Sequence, residues 1–96
     1  MPTLQLEHAI KDFELWKAAF DRDPIDRQGL GVRRHQVFRP VDDPQYVVVE
    51  LEFETTGEAE ACRTALAELW SSRQAAPALV GSPRVRIVER VEDQAY

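Results

Sequence analysis

The chain has 96 residues, 44% hydrophobic and 30% charged, which is enough for one hydrophobic core in a single domain spanning 1–96 and too little for two. Its 17 acidic residues against 12 basic ones leave a formal charge of -5, which repels a phosphate backbone and argues against nucleic acid or an anionic membrane surface as a partner. Cys62 is the only cysteine, so no disulfide closes within the chain; there is no basic leader and no apolar run near the ~18 residues of a membrane span. The expected location is cytoplasmic. A core this small is marginal, and a second subunit would add burial without adding length, which favours a homodimer.

Leu4, Leu6, His8 and Ile10 alternate with polar residues, and this period of two predicts a half-buried first strand over about residues 3–9. Asp12 stands where a helix N-cap belongs, Glu14 complements the first turn, and Phe13, Trp16, Ala19 and Phe20 recur at helical spacing. Pro24, Gly29 and Gly31 end that segment. Val32–Arg39 reads as a second strand with no clearly apolar face: Val32, Arg34, Gln36 and Phe38 share one side, and Arg33, His35, Val37 and Arg39 the other.

After a turn at Pro40–Pro44, Tyr46–Phe53 gives the strongest strand signal, with Val47, Val49, Leu51 and Phe53 on one face and Tyr46, Val48, Glu50 and Glu52 on the other. Thr55 and Glu58 have capping-box spacing ahead of a second helix whose apolar stripe is Ala59, Cys62, Leu66, Leu69 and Trp70. Ala75–Pro83, with Pro77, Gly81 and Pro83, predicts a loop, and Val85–Val91 a fourth strand.

The order βαββαβ with right-handed crossovers predicts a ferredoxin-like α+β fold. Four antiparallel strands carry both helices on one face, with the fourth strand beside the first, then the third, then the second. The other face then mixes Tyr46, Glu50, Glu52, Arg86 and Arg90 with Val48 and Val88, a composition suited to a sheet-to-sheet homodimer.

Several strings strengthen this reading. Asp12–Phe20 (DFELWKAAF), Gly31-Val32-Arg33 ahead of the second strand, the Asp42-Asp43-Pro44 turn, and Val47–Phe53 leading into an alanine-rich helix resemble the antibiotic-biosynthesis monooxygenase-like members of the dimeric α/β-barrel proteins. The resemblance covers most of the chain and implies two subunits packed sheet to sheet, each with a small-molecule cavity between sheet and helices. It is specific for fold and weak for reaction, because such relatives include cofactor-free oxygenases, haem-degrading enzymes, isomerases and members without known activity.

What the resemblance implies for particular residues is an aromatic ligand pocket at Trp16, Phe20 and Trp70, against the plainer reading that these side chains fill the core. His8, on the side of Leu4 and Leu6, is the candidate general base, against that of a satisfied strand-end histidine. Arg33 and Arg34 are further candidates for the pocket, to steady an anionic intermediate. His35 is expected to join a charged network with Glu50 or Glu52. Haem-degrading relatives use a helix-side histidine and a pocket asparagine; this chain has no histidine on the second helix and no asparagine, so no cofactor is expected, and two isolated histidines do not make a metal site. Cys62 reads as a small buried hydrophobe. Two functions follow: a cofactor-independent monooxygenase or cyclase-like enzyme acting on an aromatic or polyketide-like substrate, or a non-catalytic dimeric ligand-binding or accessory module.

Overall fold

A computed structural model describes residues 1–71 and 79–96. Its elements are β1 (Pro2–Ile10), α1 (Phe13–Asp21), β2 (Arg34–Phe38), β3 (Tyr46–Glu52), α2 (Thr56–Trp70) and β4 (Leu79–Glu89). They form one antiparallel sheet of order β2-β3-β1-β4, as the sequence predicts.

Both helices start where local chemistry places them. The Asp12 carboxylate accepts the amide of Leu15 at 2.9 Å, satisfying an otherwise orphaned donor of the first turn. Thr55 and Glu58 make the reciprocal capping box expected of them.

Alternation becomes one-sided burial in β1 and β3. Leu4, Leu6, His8, Val47, Val49 and Leu51 turn toward the helices and are buried. Leu4 sits between Leu51 and Ile87, and Leu6 between Val49 and Val85, so the core runs in rows across the three strands. α2 packs closely on these rows because Ala59 and Cys62, both fully buried, keep its backbone near the sheet. α1 meets the sheet through Trp16 and Phe20, whose long rings hold the helix away from it. The gap left beneath these aromatics becomes the site.

Three boundaries differ from expectation. β2 is shorter than Val32–Arg39 because, as an edge strand whose first and last residues are exposed, it has no burial to mark its ends; Arg33 makes a single backbone bond to Glu52. β4 ends at Glu89 rather than Val91 and begins at Leu79, so Leu79–Pro83 is strand where a loop is predicted; Ala75–Ala78 lie outside the described residues. Gly81 and Pro83 imitate turn signals because they build a bulge. Ala9 pairs with Val80 but Glu7 with Arg84, so four positions on β4 span two on β1, and Gly81 takes the extra length at φ 73°. His8 lies opposite this bulge.

The segment from α1 to β2 is held by its own aspartates. Asp23 and Asp26 adopt left-handed backbone (φ 53° and 57°), and their carboxylates accept the amides of Arg27 and Gly29. Gly31, at φ 96°, is required on a second count: a Cβ there would lie 2.5 Å from the Glu58 carboxylate that caps α2. No helix among the described residues is long and apolar enough to cross a membrane.

Candidate functional site

The gap beneath α1 is a cavity of about 470 Å³, within the range of small-molecule sites. Leu6 and His8 of β1 with Val49 and Leu51 of β3 form its floor. Trp16, Ala19 and Phe20 of α1 make one wall, and Leu66, Leu69 and Trp70 of α2 the other. Arg22, Pro24, Ile25 and Arg27, just past α1, line the remaining side.

Among the described residues, His8 is the one buried polar or charged residue of this core, at 3% exposure. Its Nδ1 lies 3.1 Å from the carbonyl of Ala9, and since a carbonyl only accepts, Nδ1 carries the proton and Nε2 is left as an acceptor. Nε2 has no partner among the described residues. No buried side-chain nitrogen or oxygen described is left without one, so Nε2 must touch open space, which here is the cavity. Desolvation lowers the His8 pKa from 6.5, opposed in part by the Ala9 bond, so the ring is a neutral base at pH 7.

The aromatic wall is continuous. Trp16 stacks on Phe20 at 5.0 Å and 24°, and the His8 ring lies 6.1 Å from that of Trp16. The Arg27 guanidinium lies 3.8 Å over the Phe20 ring, donates to the Phe20 carbonyl at 2.8 Å and pairs with Asp23. Arg27 is thereby fixed in place, one face toward the cavity.

The fold thus brings together His8, Trp16, Phe20 and Trp70. It does not bring Arg33 and Arg34 to them. Those arginines line a separate polar cleft with Asp23, Gln28, His35 and Glu58, where Arg33 binds Glu54 and Arg34 pairs with Glu52 at 3.7 Å. His35 is also corrected: it lies opposite Leu51 on the helix side, edge-on to Phe20 at 5.2 Å, away from Glu50 and Glu52. The residues that sequence reasoning missed are Arg22, Pro24, Ile25 and Arg27. Their signal was position, since they directly follow the helix that carries Trp16 and Phe20.

Cys62 is fully buried on α2, and burial pushes its thiol up to about 11, with Arg27 opposing. Alkylation of Cys62 by iodoacetamide at pH 8 is expected to run on the order of a hundredfold slower in the folded protein than in urea. Mass spectrometry checks this; equal rates would mean that α2 does not bury this stripe. No cluster of three or more His, Cys, Asp or Glu among the described residues is placed to hold a metal ion.

On the opposite face the strands are laced by side chains. Gln5 donates to Glu50 and accepts from Arg86, both at 2.9 Å, and the Tyr46 hydroxyl donates to Glu7 at 3.0 Å. Arg90 lies just past β4, within 4.0 Å of Asp93. Phe38 is 47% exposed and shares this face, opposite Val48.

This sheet and its helices define a ferredoxin-like α+β fold, with the cavity between the two layers. Solved structures with the same fold include a Bordetella bronchiseptica protein provisionally described as an antibiotic biosynthesis monooxygenase. It shares 12% identity at TM-score 0.73, over 95% of this chain and 97% of that one. SnoaB, a cofactor-independent oxygenase from Streptomyces nogalater, shares 14% at TM-score 0.66, over 96% and 94%. A dimeric ferredoxin-like protein from an uncultured marine organism shares 10% at TM-score 0.64, over 98% and 92%. No protein-family model matches the sequence, and no curated protein matches it.

Proposed function

We propose that this chain works as a homodimer that holds an ionisable aromatic molecule between helices and sheet, with His8 exchanging a proton with it. One observation carries the reading: His8, the sole buried polar side chain of the core among the described residues, has its proton on Nδ1 and a bare Nε2 open to an aromatic-walled cavity. A histidine present only for packing gains nothing from an unbonded nitrogen there.

The finer reading is oxygenation without a cofactor, and the fold shared with SnoaB supports it. Nε2 takes a proton from a hydroxylated arene, and the electron-rich anion left behind reduces dioxygen. One oxygen atom enters the ring system and the other leaves as water with two hydrogens from the substrate. A cyclisation, in which the same anion attacks a carbonyl of its own molecule, would use the same base without oxygen. Hydroxylated two- and three-ring arenes should give oxygen uptake above background and a product gaining one oxygen and losing two hydrogens. Cyclisation gives turnover without uptake. Binding without any turnover would leave the non-catalytic module as the function.

The dimer reading rests on the outer face. Glu50 and Glu52 on β3 and Arg84 and Arg86 on β4 form opposed stripes that a two-fold axis can set against each other, with Phe38 and Val48 supplying apolar area. Light scattering after size exclusion should show twice the 11.0 kDa chain mass at micromolar concentration. Glu50→Arg, which reverses a charge of the β3 stripe and breaks the Gln5 ladder to Arg86, should shift the protein to monomer; a wild-type monomer would refute the dimer.

A further inference from the structure

Resting on the ligand-site reading above, we propose that the natural ligand is an aromatic acid held by both ends: a hydroxyl donates to Nε2 of His8 inside, and a carboxylate meets the guanidinium of Arg22 at the rim. Three observations converge on this. His8 offers only an acceptor to the cavity, so the group that meets it must be a donor. The walls between are aromatic and aliphatic, matching a flat apolar body.

At the other end stands the third. Arg22 lines the cavity, yet its guanidinium has no ion pair or hydrogen bond among the described residues, whereas its neighbours are engaged: Asp21 with Lys17, and Asp23 with Arg27. The C-terminus of α1 also ends here and would repel an anion. Its final carbonyls are already answered, since the Arg22 amide donates to Ala18 while the Asp23 amide and the Arg27 side chain donate to Phe20. Among the described residues the rim therefore presents one uncommitted positive charge, Arg22. The spacing suits a ligand of two or three fused rings. Trp16 lies beside His8, and Arg22 is six residues further along the chain, roughly 9 Å along a helix axis.

Calorimetric titration with 2-naphthol, 2-naphthoate and 6-hydroxy-2-naphthoate at pH 7.5 tests this. The hydroxy acid should bind about tenfold tighter than either parent, each lacking one charge-assisted or donor contact. Arg22→Gln should bring the hydroxy acid down to the level of 2-naphthol, and His8→Phe should remove its advantage over 2-naphthoate. Equal binding of 2-naphthol and the hydroxy acid, or an advantage that survives Arg22→Gln, overturns the two-ended site while leaving the cavity as a binding site. Failure of all three compounds to bind overturns the ligand-site reading and this inference with it.

Discussion

Phe53→Ala is expected to lower the unfolding free energy by about 3–5 kcal/mol, as truncation of fully buried phenylalanines does. Phe53 is 0% exposed and follows the last residue of β3, where its amide donates to Pro2 at 3.0 Å and closes the end of the β1–β3 ladder. The substitution removes the largest fully buried side chain of the core. A chain of this size has only about 5–15 kcal/mol in total, so the variant should be close to half-unfolded at moderate temperature unless the partner subunit restores burial. Urea unfolding followed by circular dichroism gives the number. A loss under ~1 kcal/mol would mean the helices do not cover this end of the sheet.

His8→Gln is expected to have the largest effect on chemistry, on the order of 10²–10⁴ in turnover if His8 is the base, with ligand affinity changed far less. Glutamine keeps a polar group at the cavity floor but cannot hold a proton. The same substitution alters the pH dependence of stability. Burial depresses the pKa of His8 in the folded protein, while in the unfolded chain it stays near 6.5. Above 6.5 both states are neutral and His8 contributes no slope. As pH falls below 6.5 the unfolded state takes up the proton first, so stability drops until the folded pKa is reached. The wild-type urea midpoint should therefore decline below pH 6.5 more steeply than that of His8→Gln. Parallel profiles would show that His8 is not held neutral by burial.

The parts of this fold that were legible in the sequence are those where one-sided burial and side-chain period coincide. β1 and β3 alternate because one face meets helices and the other does not. The capping residues Asp12 and Thr55 act through neighbours three residues away, which sequence displays directly. β2 was indistinct because nothing covers either side of its ends. The start of β4 was hidden because Gly81 and Pro83 serve a bulge whose existence depends on pairing with Glu7 and Ala9, more than seventy positions away in the chain.

The site divides along the same line. His8, Trp16, Phe20 and Trp70 belong to regular elements whose inward faces periodicity reveals, and the structure gathers them at one cavity. Arg22 reaches it as the residue that caps the end of α1, and Arg27 only through the path of a segment turned by left-handed Asp23 and Asp26, which no periodic pattern encodes. Arg33 and Arg34 carry a suitable charge, but they lie at the start of the edge strand and line the separate cleft beside Glu58.

The central claim is that the space between α1, α2 and the sheet is a ligand site with His8 at its floor. A crystal soaked with 2-naphthol tests it most directly. Ring density is expected against Trp16 and Phe20, with the hydroxyl within hydrogen-bond distance of Nε2 of His8. A space closed by the protein's own side chains, with Nε2 bonded to one of them and no ring density, would contradict it.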